Sequence, residues 1–290
     1  MVDTKVPRLF LLGDTKKTHV AEAINEFTSF ANGKAQINAT CDIDNCKELT
    51  LNQCDYAVVF GGDGSIISAA RTLSRNDIPV IGVNLGKLGF LAEFSINELK
   101  DSFHNIASHK LQIEKRMMLN CEIFCISSGK DKFNSTAIND IYITAGPPFR
   151  MIELKISVDG QPLAGCVSDG LIISTPTGST AYNLSAGGPI LSQDIQAIVI
   201  TPICPHSLSF RPIVINAQSN LEVFGLKVND GTTVSIDGQI SCKLSMNDVV
   251  KIKKEKNNFL IVNNQLRTRW DTLAAKLGWA EKPKYKKPEN

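Results

Sequence analysis

Gly61-Gly62-Asp63-Gly64-Ser65 is the first stretch whose residue types could do chemistry. Glycines let a backbone approach a phosphate closely, and the amide groups at the start of a helix attract anions. Asp63 is out of character in such a nest, because a carboxylate repels phosphate unless it holds a hydroxyl or faces a cation. Both exceptions fit phosphoryl transfer, in which a carboxylate orients the attacking hydroxyl and takes its proton. A plainer use is also open, in which Asp63 or Ser65 only caps the following helix. The loop lacks the Gly-Lys-Ser/Thr ending of a Walker A motif, and it is not the G-x-G-x-x-G dinucleotide fingerprint.

Three further stretches invite the same question. Gly82 to Leu91 is glycine-rich, and its Phe90 either stacks on a base or is core. Asn139-Asp140 sets an amide beside a carboxylate, a pair able to grip the vicinal hydroxyls of a ribose, although a surface turn uses the same residues. From Ser168 to Pro189 an apolar strand runs into hydroxyls, glycines and small residues, among them Asp169, Thr180, Ala181, Tyr182, Asn183, Leu184 and Ser185. Many short donors and acceptors with little bulk suit a nucleoside pocket, and equally a capped helix between turns.

The elements that must position these residues fall into two textures. Up to about residue 112, strands alternate with helices: Arg8 to Leu12, a helix from His19 to Phe30, Tyr56 to Phe60, a helix from Ile66 to Leu73, Ile78 to Val83, and a helix from Asn97 to His104. Strand, glycine turn, helix, strand is a βαβ unit and predicts a parallel sheet, which sets ligands outside the carboxyl ends of its strands. Residues 113–267 carry short strand-like runs such as Leu119 to Ile126, Ala137 to Thr144, Ile152 to Val158 and Phe259 to Val262, with turn dipeptides at Asp159-Gly160, Asp230-Gly231 and Asp237-Gly238. That texture predicts a β-sandwich-like second domain. Residues 268–290 begin with a helix, Thr268 to Leu277, expected to return to the first domain.

Composition narrows the classes. A net charge of +2 implies no general attraction to nucleic acid or an anionic membrane. The lysine-rich stretch after Trp279 reads as a solvated terminus. The eight cysteines form no C-x-x-C pair, which suits free thiols in a reducing compartment, and the four histidines show no metal-ligand spacing. The apolar run Leu9 to Leu12 is too short for a signal peptide or a membrane span, so a cytoplasmic protein is expected.

Taken together and in this order, the motifs resemble the bacterial-type NAD kinases. Their hallmarks correspond to Gly61 to Gly64, Asn139-Asp140 and Thr175 to Tyr182, and the likeness extends through Pro205 to Leu208, Arg211-Pro212, Asp237-Gly238-Gln239 and Lys276 to Trp279. The resemblance implies the NAD kinase fold and transfer of the γ-phosphoryl of ATP to the 2′-hydroxyl of NAD's adenosine ribose, with a divalent metal, Mg²⁺ by preference. It implies Asp63 as proton acceptor with Gly64 beside it, Asn139 and Asp140 on the nucleoside, Asp169 at the nicotinamide end and Thr180 to Ser185 lining the pocket. Arg150 and Gln239 match positions used around the substrate. It also implies a homodimer or homotetramer whose partners are small nucleotides. Two positions depart from the pattern: Ser65 stands where Thr is usual, and Val167 where relatives often carry Lys or Arg.

The Gly-Gly-Asp-Gly loop also resembles that of lipid kinases and phosphofructokinases, which makes a lipid or sugar kinase the nearest alternative. A lipid kinase needs a membrane-facing amphipathic or basic segment, and none stands out. A non-catalytic NAD(P) sensor has no use for a carboxylate that repels the product's 2′-phosphate. An oxidoreductase lacks the dinucleotide fingerprint.

Overall fold

The structure, a computed structural model, describes residues 6–43, 54–86, 89–108 and 110–278. It divides the chain into two units, Met1–Glu114 with Leu260–Asn290, and Lys115–Phe259.

In the first unit the chain runs through β1 (Arg8–Gly13), α1 (Thr18–Ala31), β2 (Gln36–Cys41), β3 (Tyr56–Phe60), α2 (Asp63–Leu73), β4 (Val80–Val83), α3 (Ile96–Asp101), α4 (Phe103–Ala107) and β5 (Ile113–Arg116). β1 is parallel to both β2 and β3, and β3 is parallel to β4. β3 and β4 are buried along their whole length, as strands covered by helices on both faces must be. α1 buries Val20, Ala23, Ile24 and Phe27 at helical spacing, and the Phe27 ring lies 5.9 Å from that of Phe60. Gly13 pairs with Phe60 and Phe60 with Val83, so the loops after β1, β3 and β4 leave the sheet along one edge.

The second unit comprises β6 (Leu119–Cys125), β7 (Lys130–Ala137), β8 (Asp140–Thr144), β9 (Ile152–Val158), β10 (Gln161–Ser168), β11 (Gly170–Ser174), α5 (Tyr182–Ser185), β12 (Ala197–Ile203), β13 (Ile213–Asn216), β14 (Leu221–Lys227), β15 (Thr233–Ile236), β16 (Ile240–Lys243) and β17 (Asp248–Lys254). These strands form two antiparallel sheets, ordered β10-β9-β14-β17-β6-β7 and β13-β12-β11-β8-β15-β16. Ile123, Leu154, Ile156, Val223 and Val250 of the first sheet share one core with Ile141, Ile143, Ile173, Ile200 and Val234 of the second. This is the expected β-sandwich.

The chain then completes the first sheet with β18 (Phe259–Val262), giving the order β2-β1-β3-β4-β18-β5, and ends its described part in α6 (Arg269–Leu277). The Phe259 to Val262 run, expected among the second domain's strands, pairs instead with β4 through Ile261 opposite Val80. Its apolar side chains satisfy a parallel sheet as readily as a sandwich, and the sequence alone does not choose between them. The Ala137 to Thr144 run, expected as one strand, breaks at Ile138-Asn139, for a reason given below. The cysteines among the described residues are free thiols. No helix among those residues is long and apolar enough to cross a membrane. Cys46, Trp279 and the lysine-rich stretch lie outside the described residues.

Candidate active site

Asp63 opens α2 directly beyond the end of β3. Gly61 takes φ 151°, where a Cβ would run into the Ser65 side chain, so the turn requires glycine. The Asp63 carboxylate does not cap its own helix. It turns to the segment after β4, where Oδ2 accepts from the Phe90 amide at 2.9 Å and Oδ1 from the Leu91 and Ala92 amides at 3.0 and 3.1 Å. Gly89 lies so near that any Cβ there would collide with the carboxylate. The segment is itself tied to β4, because Asn84 donates to the Phe94 carbonyl at 2.7 Å and Phe94 to that of Gly82 at 3.1 Å. The end of the glycine-rich stretch, from Gly89 through Ala92, therefore has a definite task, holding the carboxylate of Asp63. Phe90 is half-buried, with the Lys276 ammonium of α6 5.6 Å from its ring centre.

The second unit repeats the device. Asp237 and Gly238 both have positive φ, 51° and 67°, forming the tight turn between β15 and β16. The turn aims the Asp237 carboxylate at the amides of Ile138, Asn139 and Asp140, with Oδ1 accepting at 2.7 Å from Asn139. Gathering three consecutive N–H groups onto one carboxylate takes Ile138 and Asn139 out of the sheet ladder, which is why β7 stops at Ala137 and β8 begins at Asp140. On the far side Thr175 closes the same segment: its hydroxyl donates to the Ile138 carbonyl at 2.5 Å and its amide to the Asn139 carbonyl at 2.9 Å. Gly178 packs on the Asn139 backbone, where a Cβ would not fit. Asn139 and Asp140 thus sit on a rigid corner.

Asp140 is 2% exposed. Burial, reinforced by the charge of Asp237 and opposed by a bond from the Tyr182 amide, pushes its carboxyl up to about 7. The Tyr182 ring meets Tyr142 edge-on at 5.1 Å. Its hydroxyl is shifted upward by burial, with Tyr142, Cys204, Asp140 and Asp169 adding to the effect.

The remaining nominated residues are spread around this face. Asp169 precedes β11 and is exposed; its carbonyl accepts from Ala145, so it lies at the opposite end of β8 from Asp140. Arg150 is exposed in the loop beyond that same end, where its carbonyl accepts from the Asn229 side chain at 2.6 Å. Thr180, Ala181 and Leu184 are half-buried, Ser185 is exposed, and Gln239 is exposed just after the Asp237 turn. Asn183 differs. It is fully buried, its amide donates to the carbonyls of Ser179 and Pro189, and its oxygen accepts from Thr201 at 2.6 Å. Those bonds use both of its N–H donors and one acceptor direction within the fold. Asp237, Gly89 and Thr175 also build the site; they stand within the motifs of the sequence, with no role assigned to them there. Among the described residues no three His, Cys, Asp or Glu side chains gather as metal ligands.

An α/β unit with a glycine-bounded carboxylate at aligned strand ends, followed by a β-sandwich that carries hydroxyls and small residues from Ser174 to Ser185, is an arrangement suited to a kinase. The solved structures it resembles agree. Yeast NADH kinase complexed with NADH matches with a TM-score of 0.86 and 25% identity, over 98% of this chain and 91% of that one. An NAD kinase from Archaeoglobus fulgidus in complex with ATP matches with a TM-score of 0.71 and 25% identity, over 92% and 97%. Residues 13–111 fit the model of the ATP-NAD kinase N-terminal domain, and residues 138–264 that of the C-terminal domain. The NAD kinase of Rhodopirellula baltica is 36% identical over 94% of this chain and 87% of its own length, and that of Geobacter sulfurreducens 40% over 79% and 80%. The chain belongs to the ATP-NAD kinase family.

Proposed function

We propose that this NAD kinase transfers the γ-phosphoryl of ATP to the 2′-hydroxyl of NAD's adenosine ribose, with Asp63 as proton acceptor. The observation that carries the role is the lone-pair count on its carboxylate. A carboxylate oxygen has two acceptor directions. Oδ1 uses both, on Leu91 and Ala92, whereas Oδ2 uses one, on Phe90. Oδ2 is left with one direction in which to accept a hydroxyl proton, and the backbone holds it in place.

The second unit binds the dinucleotide. Asn139 and Asp140 take a nucleoside's hydroxyls on their fixed corner, Thr180 to Ser185 and Tyr182 line the pocket, and Asp169, Arg150 and Gln239 are its outer contacts. With three N–H bonds on the Asp63 carboxylate, Mg²⁺ would ride chiefly on the donor's phosphates, where it neutralises their charge. The family resemblance supports a homodimer or homotetramer in the cytoplasm.

The test is incubation with NAD, ATP and Mg²⁺, read by a dehydrogenase that accepts only NADP, with Asp63→Asn in parallel. NADP from the wild type alone is expected. NADP at equal rates from both removes Asp63 from the chemistry, and NADP from neither removes the reaction itself.

A further inference from the structure

The segment that holds the Asp63 carboxylate is itself held by residues that follow the second unit in sequence. The planar peptide unit joining Glu93 to Phe94 is bound at both ends. Its N–H donates to the Gly82 carbonyl of β4 at 3.1 Å. Its carbonyl accepts from the Asn264 side-chain amide at 3.1 Å and from Arg267 Nη1 at 2.9 Å, which fills both acceptor directions. The Glu93 carboxylate accepts in turn from the Asn264 backbone amide at 3.0 Å. Asn264 and Arg267 lie between β18 and α6, 171 and 174 residues beyond Glu93.

We propose that Arg267 and Asn264 are positioning residues for the proton acceptor, fixing the backbone that presents three amides to Asp63. The inference rests on the proposed role of Asp63 and adds a support which that reading does not contain. The Ala92 amide, the last of the three on the carboxylate, lies only two peptide units before the doubly bound one. The unit between them has its carbonyl on the Gly89 amide at 3.3 Å. Every peptide unit from Gly89 to Phe94 therefore has at least one bound group, and the last is gripped from the C-terminal segment. α6 does not need Arg267 for its start, because Thr268 and Asp271 form its capping box. Arg267 Nη2 instead reaches Glu98 Oε1, while Glu98 Oε2 accepts from the Ser95 amide in the capping box of α3. The rigid guanidinium fork thus joins the Glu93 carbonyl to the Glu98 carboxylate, a geometry that a lysine ammonium reproduces only in part. Asn264 is 1% exposed, and its side-chain oxygen accepts from the Leu266 amide at 3.1 Å, which leaves its NH₂ directed to Glu93.

Arg267→Ala in the full chain is the test, because the Arg267 side chain is one-third exposed and its loss opens no core cavity. Its kcat for NADP formation should fall about tenfold, with the KM for NAD and for ATP within about twofold of the wild type, since a misplaced catalytic group costs rate and not binding. Arg267→Lys should recover part of the loss. In an Asp63→Asn background Arg267→Ala should cost less than about twofold, because a residue that acts through Asp63 has nothing left to position. Hydrogen exchange read by mass spectrometry should quicken at the amides of residues 90–92 in Arg267→Ala, and stay unchanged at residues 138–140, the control for general loosening. An unchanged kcat, or a loss that multiplies in full with that of Asp63→Asn, overturns the inference while NADP from the wild type leaves the kinase reading intact. If the wild type makes no NADP yet exchange quickens at residues 90–92 alone, the support of this segment stands and the kinase reading falls. With exchange unchanged as well, both fall.

Discussion

Asp63 and Asp237 are caught in the same way and serve different ends. Each carboxylate draws three consecutive backbone amides from a segment remote in sequence: residues 90–92 for Asp63 and 138–140 for Asp237. Charge-assisted bonds of this kind contribute about 1.5–3 kcal/mol each, so both centres are rigid. What differs is the surroundings. Asp63 is flanked by glycines and keeps an acceptor direction on Oδ2. Asp237 sits against a second, buried carboxyl, Asp140, and raises its proton affinity. One centre has the free acceptor direction that the proposed proton transfer requires; the other fixes the shape and the charge state of its neighbour. A backbone cradle is a positioning device, and the vacant lone pair or adjacent charge determines what it positions.

The largest break in this comparison comes from Asp63→Asn. The amide keeps one acceptor oxygen and brings an NH₂ against the donors of residues 90–92, so it cannot take the 2′-hydroxyl proton. We expect kcat to fall by about 10²–10⁴, the span usual for a general base, with NAD affinity measured by calorimetry close to the wild type. An NAD affinity that falls as far as kcat would make Asp63 a binding residue.

Gly89→Ala tests the cradle without touching the carboxyl. Its Cβ would displace the Asp63 carboxylate, and a misplaced catalytic group costs rate out of proportion to the displacement. A kcat loss of about tenfold or more is expected, at unchanged NAD affinity. Full activity in Gly89→Ala would show that the Asp63 position is not set by this segment.

The sequence made these two centres unequally visible. Asp63 was legible because glycines on both sides and an apolar strand before it leave a carboxylate with few structural uses. Asp237 was read as half of a turn dipeptide, and it is one. Nothing local marks that its side chain reaches amides 97 to 99 residues upstream. The same blindness made Ala137 to Thr144 look like one strand, since the break is imposed by that distant side chain. β2, β7, β10 and β16 escaped because edge and partly exposed strands such as Gln36–Cys41 lack a clean apolar alternation. The parallel and antiparallel textures survived because they rest on many buried residues at once.

The Asp140 side of the comparison is sharpened by pH. Its carboxyl is raised by burial first and by Asp237 second, to about 7, from an ordinary value of 3.8. The folded state therefore holds a proton that the unfolded chain has released, and stability falls as pH rises from about 4 to about 7. On the proposed role of Asp140 binding runs the other way, because the ionised carboxylate, the better acceptor of ribose hydroxyls, is populated above about 7. Thermal melts should show the decline in the wild type and lose it in Asp140→Asn. The NAD KM should fall through neutral pH in the wild type, and stay high and flat in the variant. Asp237→Asn, which keeps an acceptor and tolerates the positive φ, should move the wild-type midpoint downward. A midpoint that stays put would assign the shift to burial alone.

The smallest effect belongs to Tyr182, whose ring closes the face of β8 that Asp140 begins. Edge-on aromatic contacts such as that with Tyr142 contribute about 0.5–1.5 kcal/mol beyond the area they bury. Tyr182 is 39% exposed, so its removal leaves no sealed cavity in the core. Tyr182→Ala should then raise the NAD KM several-fold and leave kcat unchanged, the signature of lost uniform binding. It should also relieve some of the burial that holds the Asp140 proton, and remove nothing from the cradle of Asp63. A pH midpoint for NAD binding lowered in Tyr182→Ala, beside an unaltered kcat, would separate the two centres by function. A kcat that fell with it would mean that the dinucleotide wall also sets the geometry at Asp63.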